Sequence, residues 1–494
     1  MTPPRKLTAQ QREIYEAVRG TRHVIVEALA GSGKTSTAVG CLQQGVRGKV
    51  GFVAFNKHIA TELAARLPAE VPALTLHSLG FSAVRKVLKG PAVDERKLGQ
   101  LAKELTPKAW PSTRQAAEQL ARLIKYTLSD ERDAKETAAL ADTYGVEVED
   151  RYEVEVFALA RQLVEESSQR LATIDYDDMV WLPTRMSLPV DQFDLLLVDE
   201  AQDLNRAQQQ LALSATRDGR LMAIGDRYQA IYGFTGADCE GLPSLAGKLG
   251  LEARGCDVLP LTITWRCPRS HVALAQHIVP ALEAAPGAAD GEVRTMSGAD
   301  IAKTVKPGDL VISRCNAPAV NLTYKLVLAG TRAVMRGRDI GKGLTALIAR
   351  LKPDSVIDLV DKIEDYRANE ERRLRKRDAP SSQFDALADR CDCLSALAAQ
   401  SSTLEALTQF IGSVFSDTEV PGSQVVLSSI HRSKGLEADN VFVLDPGSLP
   451  LVRKDQKPWQ RQQERHLVYI AATRAKRTLT FEGHIPEILT GDTR

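Results

Sequence analysis

"HVIVEALAGSGKTSTAVGCLQQ" (residues 23–44) decides how the chain is read. A β-branched run ends in a glycine-rich turn, and a helical pattern starts at once. Gly31 and Gly33 let backbone N–H groups close around phosphate oxygens, because glycine carries no Cβ and adopts positive φ freely. The N-terminus of the following helix adds the positive end of its dipole. In such a loop Lys34 reaches the β- and γ-phosphates of a nucleotide, and Thr35 offers a hydroxyl to Mg²⁺. Ala30, Ser32 and Ser36 complete the cradle. Position 28 is alanine, where the strict form of the loop has glycine.

The alternation continues outward. "KVGFVAF" (49–55) precedes "NKHIATELAARL" (56–67), and "PALTL" (72–76) precedes "HSLGFSAVRKVL" (77–88). Repeated strand–turn–helix units predict a parallel sheet with crossover helices. Residues 81–175 are charged and helical in pattern. The α/β style returns at "FDLLLVDEAQD" (193–203) and "RLMAIGDRYQ" (220–229), and "DVLPLTIT" (257–264) predicts one strand leading to Trp265. A second α/β block runs from "DLVISRCNA" (309–317) to "RHLVYIAATRAKRTLTFEG" (465–483), interrupted by a charge-dense helical stretch. The expected organisation is a first α/β domain of residues 1–80 and 176–260 with a helical insertion at 81–175. A second, of residues 261–344 and 421–494, carries an insertion at 345–420.

A chain of 494 residues is too long for one core, so about two to four domains are expected. With 64 basic and 63 acidic residues the net charge is +1, so any nucleic-acid site must be a local groove. No apolar run approaches the roughly 20 residues of a membrane span, and none at the start has signal-peptide length. The seven cysteines are scattered, and Cys391 and Cys393 have no second pair at metal-ligand spacing. A reducing, cytoplasmic setting is the expectation.

"LLLVDEAQD" (195–203) supplies the second half of a nucleotide site. So dense an apolar run predicts a buried parallel strand. Asp199 and Glu200 stand at its C-terminal end, where open α/β sheets bind ligands. Asp199 is the expected Mg²⁺ carboxylate and Glu200 the group that polarises an attacking water.

With these residues in view, the chain resembles a superfamily 1 DNA helicase of the UvrD/Rep/PcrA type. The catalytic region of the F-box helicase and phage-like UvrD relatives look similar too. "LTAQQREIYEAV" resembles the Q motif, which makes Gln11 the adenine reader. "AFNKHIATEL", "TLHSLGFSAV" and "TIDYDDMVWLP" resemble motifs Ia, Ib and the element before motif II. "GDRYQAIYGFTGAD" resembles motif III, with Gln229 as γ-phosphate sensor; "TWRCP", "SSIHRSKGLEADNV" and "YIAATRAKRTL" resemble motifs IV, V and VI. The resemblance implies an α/β chain of two RecA-like parallel-sheet P-loop motor domains, each with a helical insertion, and ATP bound between them. It implies that Trp265 stacks on adenine, that Arg266 and Arg474 reach the γ-phosphate, and that Glu437 approaches the nucleotide. A flat ring suits a base and a guanidinium suits phosphate oxygens.

The resemblance further implies movement on single-stranded DNA, in the 3′→5′ direction, with unwinding at single-strand/duplex junctions. Phe55 and Phe234 are its stacking candidates, with Tyr232 supporting them; Asn56, His77 and His431 are its polar contacts. Phe234 and Thr235 replace a tryptophan and an arginine common in the family. ATP and Mg²⁺ are the implied cofactors. A monomer is expected, with a nuclease or a repair or defence factor as possible partner. The alternative is a translocase, or an ATP-switch subunit of a larger nuclease or defence complex, that unwinds little alone. Residues 367–378 hold six basic side chains in twelve positions, which reads as a solvated helix face or as a duplex or partner contact.

Overall fold

The structure is a computed structural model. It describes residues 7–43, 45–108, 111–148, 150–217, 219–233, 236, 240–376, 379, 381–417 and 422–491. The chain divides into two compact units, Met1–Thr262 and Ile263–Arg494.

The first unit is built on a six-stranded parallel sheet. Its strands are β1 (His23–Ala28), β2 (Val50–Val53), β3 (Ala73–Leu74), β6 (Leu195–Val198), β7 (Arg220–Gly225) and β8 (Cys256–Leu261), in the order β3-β2-β6-β7-β1-β8. A separate parallel pair joins β4 (Ala92–Val93) to β5 (Thr173–Ile174). β2 and β6 are buried along their whole length, as strands covered by helices on both faces must be. Leu195, Leu197, Met222 and Val26 pack on one face; Leu196, Val198, Leu221 and Ile25 pack on the other. The second unit repeats the plan with β11 (Glu292–Met296), β12 (Leu310–Ser313), β13 (Ala333–Met335), β14 (Val425–Ser429), β15 (Ala438–Leu444) and β16 (Ala475–Glu482). Their order is β11-β16-β15-β12-β14-β13, again all parallel.

Two expectations are corrected. "DVLPLTIT" is not one strand: β8 ends at Leu261 in the first sheet, and Ile263–Thr264 forms β9, which pairs with β10 (Glu283–Ala284) in the second unit. Thr262 lies between them, and its N–H donates to Gln10 Oε1 while its hydroxyl accepts from Gln10 Nε2, at 3.0 and 2.8 Å. The expected insertion boundaries also fall inside elements. Helix Leu76–Val87 runs across residue 81 and helix Arg338–Leu351 across residue 345. Periodicity marks where a helix is, and says nothing of which layer owns it.

The first insertion packs helices Lys97–Leu105, Pro111–Thr127, Ala134–Tyr144 and Glu153–Gln169 around Leu98, Leu120, Ile124 and Leu163. Its centre is charged. Lys97 and Lys125, 4% and 0% exposed, reach the two oxygens of Asp178, itself 0% exposed, at 2.6 and 2.8 Å. Lys97 also donates to the Ser167 carbonyl, and Lys125 lies 5.2 Å over the Trp181 ring. Burial alone would raise the Asp178 carboxyl, but Lys125 and Lys97 outweigh it and hold the carboxyl below its usual range. Asp178 belongs to helix Tyr176–Arg185, so the network fixes the insertion to the helix that leads into β6. Asp178→Asn strands two buried ammonium groups, and denaturant unfolding should show a loss of about 3–5 kcal/mol. A loss below about 1 kcal/mol would mean that the lysines are satisfied elsewhere.

Candidate active site

The phosphate loop joins β1 to helix Lys34–Gln43. Gly31 and Gly33 have φ of 71° and 87°, the left-handed region that L side chains avoid. Ser32 is buried, and its Oγ has no hydrogen-bond partner among the described residues. Ala28 is fully buried as the last residue of β1, in register with Leu261. A strand position tolerates a Cβ, which is why alanine stands where the strict motif has glycine.

Two contacts connect this loop to the end of β6. Lys34 Nζ lies 3.3 Å from Glu200, and Thr35 Oγ1 donates to Asp199 at 2.8 Å. Glu200 has φ 53° and ψ 39°, a left-handed conformation that costs a non-glycine residue energy and turns the chain sharply after the strand. Burial, then the Glu200 charge, pushes the Asp199 carboxyl up to about 6, with Lys34 opposing. Asp226 at the end of β7 is likewise raised by burial. Three carboxylates therefore crowd one lysine. That donor set, with a threonine hydroxyl and an orphaned serine Oγ in a positive-φ loop, suits Mg²⁺ and a polyphosphate.

A polar chain leads away from Glu200. Gln202 Nε2 donates to Glu200 at 2.6 Å, and Gln202 Oε1 accepts the Asp226 N–H at 2.9 Å. Asp226 in turn accepts from Gln229 Nε2 at 2.6 Å. A Cβ on Gly225 would stand 2.3 Å from Gln202 Oε1 and 3.0 Å from its backbone nitrogen, so the glycine makes room for this link. Gln202, Asp226 and Gly225 lie inside the motifs already quoted, yet sequence reasoning gave them no role. Spacing alone does not reveal which side chain bridges two strand ends.

Gln11 serves the loop from behind. It forms a reciprocal capping box with Thr8 at the start of helix Ala9–Arg19, and its Nε2 donates to Thr37 Oγ1 at 3.1 Å. The amide expected to read adenine is thus engaged with its own helix cap and with the phosphate-loop helix.

Three nucleic-acid candidates come together elsewhere in the first unit. Phe55, 42% exposed, stacks on Tyr232 with centroids 5.8 Å apart and planes at 17°. With His77, Tyr126, Trp181 and Asn205 they line one pocket of about 210 Å³. His77 packs edge-on to Tyr176, and burial lowers its imidazole from the ordinary value against the pull of Asp177. Asn56 Oδ1 accepts from the Ile59 N–H and caps helix Lys57–Ala64. Phe234 and Thr235 lie outside the described residues.

In the second unit Trp265 is 36% exposed. Arg266 Nε and Nη2 both meet Glu437 Oε2 at 2.6 Å. Glu437 Oε1 meets Lys476 Nζ, also at 2.6 Å. Burial pushes the Glu437 carboxyl up, but Arg266 and Lys476 prevail and keep it below its usual range. Arg474 is 1% exposed and donates to the Ile470 and Leu436 carbonyls and to Thr473 Oγ1, so it holds the motif V and VI segments together. Burial, then Arg314 and Arg432, brings His431 down to about 3, which makes it a neutral donor and acceptor and not a phosphate cation. Residues 367–376 of the basic run are the end of helix Val356–Lys376, where Arg373 pairs with Glu370, Arg375 with Glu371 and Arg367 with Asp392; residues 377 and 378 lie outside the described residues. Exposed pairs of this kind belong to a solvated helix face.

The model of the UvrD/REP helicase N-terminal domain matches residues 7–249, and that of the UvrD-like helicase C-terminal domain matches residues 349–484. The chain belongs to the UvrD/Rep-type superfamily 1 helicases. Its two parallel sheets are the two RecA-like domains of that family. It is 25% identical over 257 residues to F-box DNA helicase protein 1 of Schizosaccharomyces pombe, an alignment covering 47% of this chain and 29% of that one. It is 26% identical over 271 residues to ATP-dependent DNA helicase Rep of Escherichia coli, covering 49% and 39%. Against ATP-dependent DNA helicase UvrD2 of Mycobacterium tuberculosis it is 25% identical over 558 residues, covering 95% and 77%. The chain thus matches well under half the length of its F-box and Rep relatives. Lys34, Asp199, Glu200 and Gln229 fall within the first helicase match, and Glu437 and Arg474 within the second.

Gln202→Ala and Gly225→Ala should fail alike in this helicase-family chain, because each breaks the bridge from Glu200 to Asp226. Steady-state ATPase assays should show kcat reduced by about 10²-fold in both, since small misplacements of a positioned group cost that much. Thermal melting of the two variants serves as the control for folding. Wild-type kcat in Gln202→Ala would remove the bridge from the mechanism.

Proposed function

We propose that the chain is a DNA-dependent ATPase that moves along single-stranded DNA, 3′→5′, and separates duplex strands ahead of it. One observation carries this reading. The loops after β6 and β7 each hold a residue of the phosphate site and, a few positions on, a residue of the aromatic pocket. Glu200 is followed by Asn205, and Gln229 by Tyr232. A shift of either loop at the phosphate end therefore moves a wall of the pocket.

In this reading Gly31, Ser32, Gly33 and Lys34 hold the phosphates of ATP, and Thr35 and Asp199 hold Mg²⁺. The ion supplies charge neutralisation on phosphate oxygens when bound. Glu200 orients the attacking water and accepts its proton, held in place by Lys34 and Gln202. Gln229 senses the terminal phosphate and reports through Asp226 and Gln202. Trp265 supplies a ring for the base, and Arg266 a guanidinium for the developing phosphate charge. Arg474, donating to the Ile470 and Leu436 carbonyls, holds the motif V and VI segments in place. The pocket of Phe55, Tyr232 and His77 takes a base of single-stranded DNA, since a π-face binds any base and a neutral imidazole donates without fixing a phosphate. The relatives are named as ATP-dependent DNA helicases, and that supports DNA as the track.

The test is the ATPase rate of the purified chain with and without single-stranded DNA, beside Arg266→Ala. The rate should rise strongly with DNA, and the variant should bind ATP yet lose about 10³-fold in kcat. A rate indifferent to DNA would sink the motor reading, and an unimpaired variant would remove Arg266 from the chemistry.

A further inference from the structure

Glu437 holds two cations at once. Its Oε2 accepts from Arg266 and its Oε1 from Lys476, each at 2.6 Å. Glu437 stands just before β15 and Lys476 on β16, beside the paired residues Ala438 and Ala475, so the strand pairing keeps them adjacent. The proposed function sends the Arg266 guanidinium to a phosphate, and its two contacts with Glu437 must then open. The carboxylate left behind is 38% exposed and would lose its nearer-buried partner, for Arg266 is 16% exposed and Lys476 41%.

We propose that Lys476 is a positioning residue for ATP hydrolysis, acting through Glu437. Its ammonium stays on the carboxylate when Arg266 leaves, and its charge loosens the grip of Glu437 on Arg266 beforehand. Two cations sharing one carboxylate repel each other, so each is held less firmly than it would be alone. Removing Lys476 leaves Arg266 as the sole partner of Glu437 and favours the held arrangement. Lys476 lies in the "TRAKRTL" segment, where sequence reasoning assigned a role to Arg474 alone. The inference rests on Arg266 acting at phosphate.

The experiment measures kcat and KM for ATP, with saturating single-stranded DNA, for the whole chain and the variants Lys476→Met, Lys476→Arg, Glu437→Gln and the double variant Glu437→Gln/Lys476→Met. Lys476→Met should lower kcat about fivefold, the scale of a partly exposed ion pair, with KM for ATP and melting temperature close to wild type. Lys476→Arg keeps the charge and should restore most of the rate. In the Glu437→Gln background, whatever that variant's own rate, Lys476→Met should cause no further loss. Undiminished kcat in Lys476→Met overturns the proposal. So does an equal loss in both backgrounds, or a loss that tracks a fall in melting temperature. Arg266→Ala separates the two levels: if it collapses while Lys476→Met does not, only the Lys476 inference fails. If Arg266→Ala keeps wild-type kcat, the underlying reading fails as well.

Discussion

The ion pair between Lys34 and Glu200, 3.3 Å long, is the contact on which the rest of the site depends. It joins the phosphate-loop helix to the end of β6, although β7 lies between β1 and β6 in the sheet. A lysine at a helix N-terminus meets the positive end of that helix's dipole, so a nearby carboxylate is needed to hold it. Glu200 provides it from a left-handed backbone, which is tolerated because Asp199 is fixed by Thr35 on one side and Gln202 holds the Glu200 side chain on the other. Asp199, Glu200 and Asp226 around one lysine leave an excess of negative charge. Burial has raised Asp199 and Asp226, so the site is poised for a divalent cation.

From Glu200 the polar chain through Gln202 and Asp226 to Gln229 runs across the ends of β6 and β7. Gln202, Asp226 and Gln229 are buried and Glu200 is half-buried, and a buried hydrogen bond broken at one end is costly unless another forms. Such a chain behaves as a unit: a change at the phosphate end is passed to the loops bearing Asn205 and Tyr232. The insertion contributes the other wall of the pocket with Tyr126, whose hydroxyl donates to Asp177 at 2.7 Å. The neighbouring Asp178 is locked by Lys97 and Lys125. One wall is thus rigid and the other is connected to the nucleotide site.

Much of this was legible in the sequence. The strand–glycine turn–helix of residues 23–44 and the apolar run ending in Asp199 and Glu200 announce themselves by period and by residue type, and both lie where expected. Legibility failed where a side chain's partner comes from far along the chain. Nothing in the charged helical pattern of residues 81–175 singles out Lys97 and Lys125, yet with Asp178 they are a buried core cluster with partners up to 81 residues apart. Asn56 and Gln11, expected as ligand contacts, also cap helices, a use of the same polar groups that pattern does not reveal. The bonds of Arg474 to the Ile470 and Leu436 carbonyls are likewise not legible in its motif. The strand through residues 257–264 breaks at Thr262 because Gln10 holds that residue, a contact between positions 252 apart.

The central claim is that the nucleotide site and the aromatic pocket are energetically linked. The most direct measurement is the dissociation constant for a fluorescent single-stranded oligonucleotide, with and without a non-hydrolysable ATP analogue at saturation. The analogue should shift the constant by about tenfold, a coupling of about 1.4 kcal/mol, and DNA should shift the affinity for the analogue by the same factor. A DNA affinity unchanged by the analogue would contradict it.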